Sequence, residues 1–341
     1  MPEMSVIVVN WNGKHFLETC LLALRRQTFR DFETFLVDNG SEDGSVEYVR
    51  EHFPDVSVLP LGRNLGFAAA NNAGYEQARG ELIVLLNNDT EADPHWLEEI
   101  HKASQKFPAA ESFASKMLYF DDRNRIDNCG FWISLAGLSQ EFGRNELDGA
   151  AWADFRWVFG ASAGACGYCR RMLRDIGLFD PDFFMTYEDL DLSFRAQLRG
   201  YKCIFVPRAI VYHRYRATMN NFPACQVFYS QRNIECVYVK NMPLGLILRS
   251  APERFLYELG SAVYFSRKHA GLAFLQAKGS AIRQLPALLR KRREIQKRKS
   301  VTHAQLRSVM LDNWFRPKWR KFISAWFGRP EKTLSPTQPH S

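Results

Sequence analysis

The chain has no long apolar run. Its most apolar stretch, Met242 to Leu248, is far shorter than the roughly 20 residues a helix needs to cross a bilayer, which argues against a spanning helix. The opening Met-Pro-Glu-Met-Ser has no basic region, and the apolar run Val6 to Val9 stops at Asn10, so we expect no signal peptide. Cysteine is sparse and unpatterned: the seven residues Cys20, Cys129, Cys166, Cys169, Cys203, Cys225 and Cys236 are odd in number and lack framework spacing. That points to reduced thiols and a cytoplasmic setting. Cys166 and Cys169 form a C-x-x-C, but no second pair or C-x-x-H completes a zinc set, so small buried thiols are expected. Internal repeats and low-complexity blocks are also missing, although the last dozen residues read as a disordered end.

The 341 residues, 46% of them hydrophobic, suffice for one large domain or two medium ones with a sizeable core. The net charge is +8, and the segment Arg283 to Lys299 contributes +7 of it, so the rest of the chain is close to neutral. No nucleic-acid motif accompanies this basic run, and nucleic acid is not an expected partner.

Through the first ninety residues, short β-rich runs alternate with helical patterns, which predicts a parallel sheet built from βαβ units. Strands are expected at Met4–Val9, Phe32–Val37, Val56–Leu59 and Leu82–Leu86, with helices marked by Phe16 to Leu24, by Asp43–Phe53 and by Phe67–Arg79. Polar loops follow the strands: Asn10-Trp-Asn-Gly13, Asp38-Asn-Gly-Ser-Glu-Asp-Gly44 and Asn87-Asn-Asp-Thr90. Ligands of open α/β sheets sit outside the carboxyl ends of strands, so these three loops should line one site. A further helix is expected from an Asp93 cap and Pro94 to about Phe107. Residues 115 to 160 read as mixed strand and loop, followed by a helix near Cys169–Ile176 and by strands at Lys202–Val206 and Ile210–His213. Beyond about residue 216 the pattern is mostly helical.

Glu188, Asp189 and Asp191 crowd the start of another helical pattern, in which Phe184, Leu190, Phe194 and Leu198 recur at spacings that predict one buried face. A carboxylate held there against a cleft suits removal of a proton from a sugar hydroxyl. Acids in a first turn also complement the helix dipole, and Thr186 with Asp189 can form a variant capping box.

Taken in order, the motifs make the sequence resemble family 2 glycosyltransferases of the GT-A fold, and most of all their rhamnosyltransferase-like members. They are Val8-Val-Asn-Trp-Asn-Gly13, Val37-Asp-Asn-Gly-Ser41, Gly62-Arg-Asn-Leu-Gly-Phe67, Asn87-Asn-Asp89, Gly177-Leu-Phe-Asp180, Tyr187-Glu-Asp-Leu-Asp-Leu192 and a late His213. The resemblance covers about residues 4 to 215. It implies an α/β GT-A domain over 1–215, with a Rossmann-like nucleotide-sugar half in a mixed sheet to about residue 90 and an acceptor half over 91–215. A helical C-terminal region, 216–341, follows.

The resemblance also implies roles. Asp38 matches the family's base-contacting Asp, and an ionised carboxylate can accept from a base N–H or a ribose hydroxyl. Asn10, Asn12, Asn64, Gly66 and Asn88 are expected in the same nucleotide-sugar cleft, with Gly66 allowing close backbone approach. Asn87-Asn-Asp89 stands in the place of the family's D-x-D motif with one carboxylate, Asp89, and His213 is implied as the second protein ligand of a divalent cation, Mg or Mn. Asp189 is the expected catalytic base, with Glu188 as rival and Asp191 paired to Arg195. Arg232 is a weaker candidate for a phosphate clamp.

Together these readings describe an inverting transferase that moves a hexose, rhamnose being the expected one, from a dTDP- or UDP-sugar to a glycan or polyprenyl-diphosphate-linked acceptor in cell-surface polysaccharide synthesis. Residues 244 to 289 scatter apolar side chains among charged ones beside the basic run, as amphipathic helices on an anionic membrane surface would. The expected location is therefore cytoplasmic, peripheral on the inner face of the membrane. Two other classes compete. A nucleotidyltransferase-like enzyme would carry a basic Gly-rich loop after strand one, which Asn10-Trp-Asn-Gly13 is not. In a non-catalytic nucleotide-sugar-binding membrane adaptor the catalytic acids would be free to decay, and the intact Asp38, Asp89, Asp189 and His213 argue against that.

Overall fold

The computed structural model describes residues 1–214 and 224–311. In its first half β1 (Met4–Asn10), α1 (Lys14–Arg25), β2 (Phe32–Asp38), α2 (Ser45–His52), β3 (Ser57–Pro60), α3 (Phe67–Gln77) and β4 (Leu82–Asn87) alternate as the periodicity predicts. The four strands pair in parallel in the order β3-β2-β1-β4. Register matters more than order here. Asn10 lies opposite Asp38, and Val9 opposite Asn87, so the three polar strand ends arrive at one edge of the sheet.

The second half contains β5 (Thr90–Ala92), α4 (Trp96–Lys106), β6 (Ala110–Tyr119), β7 (Ile126–Asn128), β8 (Phe131–Ile133), β9 (Ser139–Glu141), β10 (Arg156–Val158), β11 (Ala165–Cys169), α5 (Arg170–Ile176), α6 (Glu188–Arg199) and β12 (Lys202–His213). β11 runs antiparallel to both β4 and β6, while β6 and β12 are parallel, which makes the sheet mixed. Three details depart from the sequence reading. α4 begins at Trp96, because the Asp93 carboxylate accepts the His95 N–H at 2.9 Å and closes a turn before the helix. The two expected strands over 202–213 are one, with a register shift between Val206 and Ile210 where Pro207 cannot donate. Short β5 was not expected, and it pairs with the end of β12.

Alternation along the central strands divides the core. Val6, Val8, Val84 and Leu86 face α1 and α4, whereas Ile7, Ile83 and Leu85 face α3 and α5. A third core lies outside the sheet, where α6 meets a helical cap of α7 (Ala224–Asn241), α8 (Leu244–Arg267), α9 (Gly271–Arg283), α10 (Leu285–Lys297) and α11 (His303–Ser308). Helix α6 therefore does not have one buried face. Leu192 and Ala196 pack toward the sheet, Leu190, Phe194 and Leu198 toward the cap, and ten of the twelve residues are buried.

Burying a helix on both sides buries its polar side chains too, and each then needs a partner. Asp191 pairs with Arg195 at 2.9 Å, as the i, i+4 spacing predicts, and with Lys240 at 2.8 Å, and it accepts from Asn241 at 2.7 Å. Lys240 also reaches Asp180 at 2.6 Å. Two residues of the basic run join this network: Lys291 pairs with Asp180 and Asp182, and Arg292 donates to the Val239 and Met242 carbonyls. Part of the basic run is therefore turned inward and holds the cap on α6. Among the described residues no helix is long and apolar enough to cross a membrane. Residues 215–223 and 312–341, on which part of the expected helical continuation and the expectation about the last dozen residues fall, lie outside the described residues.

Lys240→Ala leaves Asp191 and Asp180 short of a buried counter-charge. It should lower stability by about 3 kcal/mol, the lower end for breaking a buried pair, because Arg195 and Lys291 remain. Denaturant unfolding at pH 7 measures this; an unchanged midpoint would show the network to be energetically idle.

Candidate active site

The three polar loops are joined by side chains before any ligand arrives. Asn10, fully buried, donates to Asp38 Oδ1 at 3.2 Å and to Ser41 Oγ at 3.1 Å, and accepts from Asn88 Nδ2 at 2.7 Å. Asp38 is buried as well, and its second oxygen takes the Ser41 N–H at 3.0 Å. A carboxylate has about four acceptor positions, so Asp38 keeps capacity for a ligand donor. Asn10, by contrast, is spent on the loops. Asn12, at φ 50°, accepts the Glu42 N–H at 2.8 Å and ties the first loop to the second.

Asn64 and Gly66 have roles that their types alone did not show. Asn64 Oδ1 accepts from Asn39 Nδ2 at 3.0 Å and from the Gly66 N–H at 2.9 Å, which locks the 62–66 loop onto the Asp38 loop. A Cβ on Gly66, at φ 87°, would stand 2.6 Å from the Phe184 carbonyl oxygen. The close approach at this glycine is that of the chain leading into α6.

Asp89 and His213 are brought together by the pairing of β5 with β12, which sets His213 opposite Thr90. Asp89 Oδ1 is buried without a hydrogen-bond donor, and His213 Nε2 lies 3.4 Å from it, at ion-pair range. The other ring nitrogen, Nδ1, is 2.7 Å from Asp127 Oδ2, and Arg144 holds the second Asp127 oxygen at 3.1 Å. Burial opposes charge on the ring, but the two carboxylates outweigh it and raise His213 to about 9. Asp127 was not found from sequence, since it sits in a three-residue strand without periodicity. Among the described residues no group of three or more His, Cys, Asp or Glu side chains forms a metal cage. The orphaned Asp89 oxygen facing a histidine oriented by a carboxylate nevertheless fits a hard divalent ion that takes its other ligands from water and phosphate.

Asp189 stands on the first turn of α6. Its Oδ2 accepts the Ala163 N–H at 3.2 Å and its Oδ1 the Leu190 N–H at 2.7 Å. Burial raises its pKa, the N–H donors pull it back, and it settles at about 6. Glu188 differs in environment. Its Oε2 is buried with no partner, and burial together with the charge of Asp189 raises it well above the carboxylate range. Asp189 thus has backbone N–H donors that favour its charged form, and Glu188 Oε2 has none. The expected capping box is not formed: Thr186 and Tyr187 both have positive φ, and no side chain caps α6.

The acid helix and the Asp89 loop meet at one short segment. Ala163 donates to Asp189, and the next carbonyl, Gly164, accepts the Asn87 N–H at 2.8 Å. Arg232 is elsewhere. Buried in α7, it donates to the carbonyls of Asp182 at 2.7 Å and Phe183 at 3.0 Å, so its guanidinium is occupied with backbone, and the phosphate-clamp reading is corrected.

Comparison with known proteins agrees with this architecture. Residues 5–177 match the profile described as "Glycosyl transferase family 2". An N-acetylglucosaminyl-diphospho-decaprenol L-rhamnosyltransferase of Mycobacterium tuberculosis is 26% identical over 65% of this chain and 79% of its own length. An uncharacterised protein of Sinorhizobium fredii is 29% identical over 64% of this chain, which spans only 25% of that relative. Among solved structures, GalNAc-T7 with UDP, GalNAc and Mn2+ superposes with TM-score 0.56 at 18% identity, over 70% of this chain and 48% of the other. The mannosyltransferase PcManGT from Pyrobaculum calidifontis, in complex with GDP-Man and Mn2+, does so with TM-score 0.50 at 16% identity, over 82% and 87%. At such identities the likeness speaks for the fold. The family match over half the chain, with the mixed sheet and its three converging loops, places this protein among the family 2 glycosyltransferases of the GT-A fold.

Proposed function

We propose that the chain is an inverting hexosyltransferase using a nucleoside-diphosphate sugar, with dTDP-rhamnose as the expected donor and UDP-sugars as the alternative. The observation that carries the reading is the Ala163-Gly164 segment, which joins Asp189 on one side to the Asn87–Asp89 loop on the other. In the step we propose, the acceptor hydroxyl oxygen attacks the anomeric carbon while its proton passes to Asp189. The bond from that carbon to the diphosphate oxygen breaks, and the nucleoside diphosphate leaves. Asp38 binds the nucleoside, held in place by Asn10, while Asn12, Asn64, Gly66 and Asn88 shape the donor cleft. Asp89 and His213 would hold a Mg or Mn ion, which when bound supplies positive charge to the leaving diphosphate. The acceptor we expect is a glycan or a polyprenyl-diphosphate-linked sugar of cell-surface polysaccharide synthesis. The name of the mycobacterial relative supports that class.

The cap supports a location on the inner face of the membrane. On α8, Leu244, Leu248, Phe255, Leu259 and Val263 form an outward apolar stripe, with Leu248 69% and Phe255 68% exposed. The opposite face is anchored by Arg254, which donates to the Ala136 carbonyl at 2.9 Å and pairs with Glu235 and Glu258. Helix α9 repeats the arrangement with exposed Leu272, Leu275 and Ile282. Helices apolar on the outside as well as the inside need cover. Arg249, Lys268, Arg283, Arg290 and Arg293, on or next to these helices and on α10, are exposed as well, which favours an anionic lipid surface.

Asp189→Asn keeps the shape and removes the proton acceptor. Turnover should fall on the order of 10²- to 10⁴-fold, with nucleoside-diphosphate affinity unchanged by calorimetry. Because the Asp189 pKa is raised to about 6, the native enzyme should lose transfer as pH falls through that value. Near-native turnover of the variant would remove Asp189 as the base.

For the ion, Asp89→Ala and His213→Ala should each raise the divalent concentration that supports half-maximal transfer. Asp127→Asn should raise it by about 10- to 100-fold through the orientation of His213 alone. Undiminished transfer in excess chelator excludes the ion from the reaction.

For the membrane, a Leu248→Ser, Phe255→Ser, Leu259→Ser triple variant should lose co-sedimentation with anionic vesicles, and Arg290→Glu with Arg293→Glu should weaken it most at low salt. Lys291 and Arg292 are left intact because they hold the cap. Transfer to a soluble acceptor should be unaffected. Parent protein that self-associates through this stripe and ignores vesicles would reassign the face to a second copy.

A further inference from the structure

The turn that delivers the catalytic acids is held from the cap, by a residue none of the motifs contains. Phe184, Thr186 and Tyr187 have φ values of 62°, 62° and 66°, a left-handed region that residues with side chains rarely occupy. Such a run persists only where its surroundings over-determine it. Asn233 of α7, 1% exposed, does so: its Nδ2 donates to the carbonyls of Phe183 at 2.9 Å, Met185 at 2.8 Å and Thr186 at 2.8 Å. Two amide hydrogens serve three acceptors, so one of them is shared.

The orientation of that amide is itself fixed. Arg232 Nε–H donates to Asn233 Oδ1 at 2.8 Å, which turns the NH2 group toward the three carbonyls. The same guanidinium takes the Asp182 and Phe183 carbonyls, and the Phe184 ring stacks on Tyr229 with centroids 5.2 Å apart. Helix α7 thus grips every residue from Asp182 to Thr186. Two residues after Thr186 the chain enters α6, and a backbone bond runs from the Asp191 N–H to the Tyr187 carbonyl at 3.0 Å. A shift of the turn would rotate the first turn of α6 and draw Asp189 off the Ala163 N–H.

We propose that Asn233 is a positioning residue for the reaction: it locks the left-handed turn 184–187 so that Asp189 meets the acceptor hydroxyl, with Arg232 setting the direction of its amide. The proposal rests on the reading of Asp189 as the base. It makes the helical cap a part of the catalytic geometry, because the grip on the acids comes from outside the sheet domain.

The test compares Asn233→Ala and Arg232→Lys with the native chain, measuring transfer kinetics with the donor found by nucleotide-sugar screening, binding of UDP and dTDP with Mn2+, and thermal unfolding. Asn233→Ala should lower kcat by about 100-fold, as displacement of a reacting group by about 1 Å does, while donor KM and nucleotide binding stay within about twofold of native, because the Asn233 amide bonds to the carbonyls of Phe183, Met185 and Thr186 and not to the loops that carry Asp38 and Asp89. Arg232→Lys, which keeps the charge and loses the Nε–H bond to the amide together with the paired guanidinium bonds to the Asp182 and Phe183 carbonyls, should show the same division at smaller size. Native kcat in a folded Asn233→Ala overturns the proposal. So does an Asn233→Ala that fails to fold beside an Arg232→Lys with native kcat, since the amide would then be a structural bond only. Equal loss of kcat and of nucleotide binding also overturns it. Failure of the base reading looks different: Asp189→Asn would then turn over normally, whatever Asn233 does.

Discussion

Helix α6 is buried on both sides, and the rest of the structure is arranged around that constraint. One flank supplies Leu192 and Ala196 to the sheet, the other supplies Leu190, Phe194 and Leu198 to the cap. Asp191 and Arg195, caught between, need counter-charges, and the cap provides Lys240 and Asn241. Burying an unpaired charge costs several kcal/mol, so the cap and the acid helix are energetically one object. Burial pushes the Asp191 carboxyl up, but Lys240 and Arg195 outweigh it and hold the group below the ordinary carboxylate range, whereas the same burial, without a cation, raises Glu188 and Asp189. Three acids within four residues thereby acquire three different properties.

The donor side works on a different principle. Its side chains are short amides and carboxylates that bond to one another across loops: Asn10 to Asp38, Asn88 to Asn10, Asn39 to Asn64, Asn12 to the Glu42 N–H. A site organised before its ligand binds loses less entropy on binding. The Asp127–His213–Asp89 line follows the same logic, since a carboxylate on Nδ1 fixes which nitrogen faces Asp89.

Local pattern carried most of the first half of the fold. Alternating strands and helices, the polar strand ends and the small residues of α3 are periodic signals that need no long-range contact to be read. The motif order, from Val8 to His213, was specific enough to indicate the family. Short elements without period were not legible: β5, β7 and the turn 184–187 exist because of what they pack against, and Pro207 was absorbed as a register shift instead of a break.

By itself the sequence determined the α/β class, the three converging loops, and which acids and which histidine deserved notice, because each depends on residue type at short spacing. Only the tertiary structure decided what those residues do to one another. Asp89 and His213 are 124 positions apart in the chain and meet through strand register, Asp127 joins them from an edge strand, and the difference between Asp189 and Glu188 is a difference in buried surroundings. The basic run is the plainest case. As sequence it is a block of like charge, yet Lys291 and Arg292 serve buried carboxylates and carbonyls while Arg290 and Arg293 face outward, because the side of a helix that a residue occupies is settled by what the helix packs upon.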